Sequence, residues 1–148
     1  MQQAKLELSS LLILLFVSAV VSGQTPSATK PKPRANLTGH YVMRRAEFRN
    51  RLNVQQLPDR KIKVDLLALW VSHYNPENVH NGQLQGMVRV ENGVAVYEAD
   101  NCKLTMEFLP TRVRIMQSDE VGDCGFGANV TATGSYRKID GRKPKFDF

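Results

Sequence analysis

Three histidines, two cysteines and a run of arginines are the residues of this chain whose types could do chemistry. His73 and His80 bracket a loop that also carries Glu77, and together these could offer three ligands to a metal. Their spacing matches no motif of fixed coordination geometry, and His40 stands far off in sequence, so no metal site is expected. Cys102 and Cys124 have no histidine at ligand spacing, which leaves a disulfide as their natural chemistry. Such a bond closes a loop of about 23 residues and contributes about 3 kcal/mol by loop-closure entropy. No GxSxG, Walker or dinucleotide glycine pattern occurs, and the glycine-rich stretch Gly122 to Gly127 precedes no helix on which a phosphate could sit. The carboxylates are scattered. No catalytic residue, cofactor or metal is expected, and the chain is read as a non-enzyme.

Two features remain as candidate binding sites. The first is a basic patch of Arg44, Arg45, Arg49, Arg51, Lys61 and Lys63, with Arg60 beside them, formed if the early strands are neighbours. The second is the loop of Gly125, Phe126, Gly127 and Asn129, pinned by Cys124, with Phe126 as a plug for one end of the domain.

The elements that must position these residues repeat every second residue. Ile62, Val64, Leu66, Ala68 and Trp70 alternate with Lys61, Lys63 and Asp65, the pattern of a strand with one buried face. Beyond Asp65 the other face also turns apolar at Leu67, Leu69 and Val71. Leu57-Pro58-Asp59-Arg60 turns Leu52 to Leu57 into that strand. Asn92-Gly93, which supplies two positive φ angles, turns Gln83 to Glu91 into Val94 to Ala99 as a type I′ hairpin. Cys102 to Leu109 and Arg112 to Gln117 alternate about Pro110-Thr111. Tyr41 to Ala46 opens the domain, and Asn129 to Lys138 closes it. About eight antiparallel strands without a helix predict an all-β fold, a small closed or nearly closed barrel, because closure removes exposed edges. A two-sheet sandwich is the alternative. A packed interior would hold Leu66, Trp70, Phe108 and Ile115; a carrier would leave room for a small ligand.

Residues 1–23 read as a signal peptide, with the apolar run Ser9 to Val21 too short to span a bilayer and small residues before Gln24. A mature form without a transmembrane span, secreted or periplasmic, is expected. Residues 24–36 form a Pro- and Lys-rich linker, 37–139 the β domain, and 140–148 a basic tail. Loss of the signal removes Lys5 and Glu7 and leaves the net charge at +6. That favours anionic partners by long-range steering: an envelope polymer, a lipid or a protein. Nucleic acid is not expected, since the aromatics fall on core positions instead of interleaving with the cations. Asn36-Leu37-Thr38 and Asn129-Val130-Thr131 match the N-glycosylation sequon. The oligomeric state is open.

Asn101-Cys102-Lys103-Leu104-Thr105, the string Asp123-Cys124-Gly125-Phe126-Gly127-Ala128-Asn129-Val130 and Gly134-Ser135-Tyr136-Arg137-Lys138 together resemble a pattern in small exported bacterial proteins. These are mostly uncharacterised and are loosely grouped with periplasmic lysozyme inhibitors, which are also disulfide-pinned β-barrels. Thr38-Gly39-His40-Tyr41 is similar to their Gly-x-Tyr opening, and also to the lipocalin Gly-x-Trp opening. The resemblance implies a lysozyme-inhibitor-like role as one alternative, and a calycin-like carrier of a small apolar ligand as another. A net charge of +6 opposes encounter with the strongly basic common lysozymes. A non-catalytic binding module is therefore the preferred expectation.

Overall fold

The computed structural model describes residues 36–99, 101–118 and 124–148. The expected signal peptide, all of the expected linker except Asn36, and Gly122-Asp123 lie outside the described residues. Eight strands follow one another: β1 (Gly39–Arg45), β2 (Phe48–Gln56), β3 (Lys61–Val71), β4 (Val79–Glu91), β5 (Val94–Ala99), β6 (Cys102–Leu109), β7 (Arg112–Gln117) and β8 (Gly134–Asp140). Each pairs antiparallel with the next, and β8 returns to β1, so the sheet closes as a barrel.

The alternation in sequence becomes an inside and an outside. Leu52, Val54, Ile62, Val64 and Val113 are fully buried, with Leu66, Leu104, Met106 and Ile115 nearly so. These side chains fill the lumen, as the small radius of an eight-stranded barrel permits. Trp70 was expected among them, but it stands half-buried at the end of β3, its ring 5.3 Å from that of His80. Phe108 is likewise half-buried, at the opposite end, where it joins Leu37, Leu57, Ile62 and Val90 around an open cup of about 500 Å³.

The Gly-x-Tyr opening has a packing reason. Gly39 sits at φ +149° beside the register shift between β1 and β8, and a Cβ there would collide with the carbonyl of Asp140. Tyr41 is buried and donates its hydroxyl to the Leu37 carbonyl at 2.8 Å. Tyr136 repeats the device, donating to the Ala132 carbonyl at 2.7 Å. The expected strand Asn129 to Lys138 begins only at Gly134, because Asn129 takes φ +65° in a turn that Val130 closes onto Gly127. Asn92 and Gly93 do take φ +50° and +82°, as a type I′ turn requires.

Burial holds both phenols neutral. It pushes Tyr41 up to about 12 and Tyr136 higher still, with the Asn50 hydrogen bond opposing part of the rise. The folded state thus keeps its protons where the unfolded chain, at about 10, has lost them. The stability these groups contribute is complete below pH 10 and falls as the pH climbs through the folded values. We expect a loss of about 1 kcal/mol per tyrosine by pH 11, read as a falling urea midpoint, and Tyr41→Phe should flatten that profile. A midpoint unchanged from pH 8 to pH 11 would contradict the assignment.

Candidate functional site

The barrel does not assemble the basic patch as its residues are ordered in sequence. Arg44, Arg49 and Arg51 lie on the outer face of β1 and β2, all exposed, with Arg44 directly across from Arg49. Arg45 ends β1 at the rim opposite Phe48. Lys61 and Lys63 begin β3, which runs antiparallel to β2, and so stand near the other end of the barrel. Lys63 is engaged by the tail: its ammonium donates to the main-chain oxygen of Phe148 and lies 5.0 and 4.0 Å over the rings of Phe146 and Phe148. Pro144 of the same tail is buried.

Closure supplies other cations in their place. Arg112 of β7 is the register partner of Arg137 on β8, Arg137 the partner of Val42, and Val42 the partner of Arg51. Arg114 sits one inward-outward repeat further along β7, across from Ser135. The outer face of β7, β8, β1 and β2 therefore carries Arg44, Arg49, Arg51, Arg112, Arg114 and Arg137, every one exposed. Among the described residues Arg114 alone of these meets a carboxylate, Glu107 at 3.0 Å. Arg49 donates to the carbonyls of Ala46 and Phe48, which hold its side chain without neutralising it. Arg44↔Arg49 and Arg112↔Arg137 are like charges set directly opposite, an arrangement that costs stability in a sheet.

The second candidate is a stopper. The disulfide joins Cys124 to Cys102 at the start of β6. Phe126 turns inward and is 8% exposed, its ring occupying the space a side chain at Gly82 would need. Gly127 donates its N–H to the Asn81 carbonyl at 2.9 Å, and His80 Nδ1 meets the Ala128 carbonyl at 2.6 Å. Gly125 and Asn129 are exposed at positive φ. His80 thus serves the loop, while His73 stacks edge-on with Tyr74 at 5.6 Å. His40 Nδ1 meets Asn53 Oδ1 at 2.8 Å, and its Nε2 lies 3.9 Å from Asp140. Arg142 donates to Asp140 at 2.8 Å and holds its carboxyl below the ordinary carboxylate range.

Two buried polar residues of β2, Asn50 and Asn53, escaped the sequence reading, and Asn50 is the more deeply placed. Asn50, 2% exposed, points into the barrel between β1 and β3. Its amide donates to the Thr131 carbonyl at 2.8 Å and to the Tyr136 hydroxyl at 3.0 Å, while its oxygen accepts from the Leu69 N–H at 3.0 Å. It ties β2, β3 and β8 to the segment that follows the stopper. No family model, no curated protein and no solved structure matches the chain.

Proposed function

We propose that the barrel is a non-catalytic binding module of the cell envelope or extracellular space, which holds an anionic polymer or lipid surface against its arginine face. The observation that carries this reading is the row Arg112, Arg137, Val42, Arg51 with Arg44 opposite Arg49. Five of the six arginines lack a carboxylate partner among the described residues, and two like-charged pairs are retained despite their cost. A polyanion laid across the face relieves that repulsion and takes up guanidinium donors two at a time. The Cys102–Cys124 disulfide is compatible with an extracytoplasmic location, and we place the protein there.

A cation near an anionic surface is worth about 1 kcal/mol. Replacing Arg44, Arg49 and Arg137 together by alanine should cost on the order of 3 kcal/mol, about a hundredfold in affinity. The probes are polyphosphate and vesicles of phosphatidylglycerol, with phosphatidylcholine vesicles as the uncharged reference. Lys61→Ala with Lys63→Ala, which removes two charges at the other end, should change affinity severalfold at most. Equal losses for the two sets would mean that net charge acts and the arginine face does not.

A further inference from the structure

The barrel wall is incomplete on the side away from the arginines. β3 and β4 pair without interruption from Lys61↔Arg89 to Val71↔Val79, whereas β4 and β5 pair only at Val90↔Ala95 and Glu91↔Val94. In an antiparallel sheet successive residues direct their main-chain groups to opposite neighbours. The Val90 N–H donates to the Arg60 carbonyl, so even-numbered residues of β4 bond to β3. The N–H and C=O of Gln83, Gln85 and Met87 consequently face β5. The Phe108 N–H donates to the Gly93 carbonyl, so odd-numbered residues of β5 bond to β6, and Val96 and Glu98 turn their main-chain groups toward β4. Among the described residues no main-chain partner across the seam meets Gln83, Gln85, Met87 or Glu98, whereas the Val96 N–H closes on the Arg89 carbonyl beside the Val90↔Ala95 pair.

Three further observations say what would fit there. The chain itself demonstrates the complement of this edge, because the Gly127 N–H donates to the carbonyl of Asn81, the preceding position on the same side of β4. Beneath the gap is a pocket of about 370 Å³ lined by Gln83, Leu84, Gln85, Tyr97 and the Cys102–Cys124 disulfide, with the Tyr97 ring against Gly86. The rim is apolar and wet: Met87 is 68% exposed and Val96 44%, and Val96 continues in register through Thr105 to Met116, itself 50% exposed.

We propose that this seam is the docking site for one extended segment of a partner protein, which pairs main chain to main chain with Gln83 to Met87 and seats an apolar side chain over Tyr97. Unmet donors and acceptors at strand spacing are complemented by another backbone in a way that neither a lipid nor a polyanion reproduces, and exposed strand edges are used in this way elsewhere. The open edge from Gln83 to Met87 is about 14 Å long at 3.4 Å per residue, room for a segment of about five residues. Gln83 and Gln85 are neutral, so the apolar groups decide which segment fits. The site is separate from the arginine face and does not depend on it.

The test uses the chain from Gln24 onward and a capped pentapeptide of alternating threonine and valine at millimolar concentration. Amide exchange at Gln83, Gln85 and Met87 should slow about tenfold with the peptide present, while Leu84, Gly86 and Val88, already bonded to β3, should not change. A peptide N-methylated at alternate residues should lose the effect in one of its two phases and keep it in the other. Gln85→Pro removes only a free donor; it should fold with a urea midpoint close to the parent's and bind the peptide at least tenfold more weakly, whereas Gly86→Pro breaks the β3 ladder and should lower the midpoint severely. Unmoved exchange rates, or a midpoint for Gln85→Pro as low as that for Gly86→Pro, would overturn the proposal. Slowing that grows with protein concentration in the absence of peptide would overturn it in favour of a second copy of the chain.

Discussion

Replacing Cys102 and Cys124 together by serine is expected to destabilise the barrel by about 3 kcal/mol, within a usual range of about 2 to 5. The bond joins the first residue of β6 to the segment that carries Phe126, so cleavage frees the plug as well as lengthening the unfolded chain. Without it the Phe126 ring keeps its packing in the core over Gly82, and Gly127 and Ala128 their contacts with Asn81 and His80. Amide exchange should accelerate most at Gly127, while the β2, β3 and β4 ladders retain their protection. Equilibrium urea unfolding of oxidised and serine forms measures the total. A difference under about 1 kcal/mol would mean that packing of Phe126 alone holds the loop.

Asn50→Ala is expected to cost about 3 kcal/mol as well, for a different reason. Its side chain satisfies the half-buried N–H of Leu69 and the carbonyl of Thr131, and removing it takes that partner from both, at about 1 to 3 kcal/mol for each group shielded from water. Asn50→Leu fills the space and still strands the Leu69 donor, so it should rescue little. Tyr136→Phe removes the hydroxyl that Asn50 also reaches and that binds Ala132. In a double-mutant cycle the two should couple by about 1 kcal/mol, and strictly additive losses would show that they do not act as one network.

The strands were legible because one face of each is apolar: Ile62 to Ala68, Cys102 to Met106 and Val113 to Ile115 alternate cleanly, and Asn92-Gly93 and Leu57-Pro58-Asp59-Arg60 turn where expected. Closure of the barrel followed from the count of strands and the absence of helix. The arginine face was only half legible. Arg44, Arg49 and Arg51 are neighbours in sequence, but Arg112, Arg114 and Arg137 join them only because β8 pairs with β1, a contact between the two ends of the domain that periodicity does not encode. Lys61 and Lys63 looked like members because they follow closely in sequence, yet a strand that reverses direction carries its first residues away from the β1–β2 turn. Asn50 was missed because a polar residue at a core position of β2 reads as a break in the pattern, and only the positions of Leu69, Thr131 and Tyr136 explain it. Trp70 looked like core on parity alone, and β3 outruns the packed interior before reaching it.

An anion bound by this barrel should lie against the face of β7, β8, β1 and β2. The most direct measurement is a backbone and guanidinium chemical-shift map of the chain from Gln24 onward, titrated with polyphosphate at several salt concentrations. Shifts are expected at Arg44, Arg49, Arg51, Arg112 and Arg137, with little change at Lys61 and Lys63, and the affinity should fall steeply as salt rises, since the contacts are exposed charges. Shifts centred on Lys61, Lys63 and the tail from Lys143 to Phe148, or spread evenly over all cations, would contradict that placement.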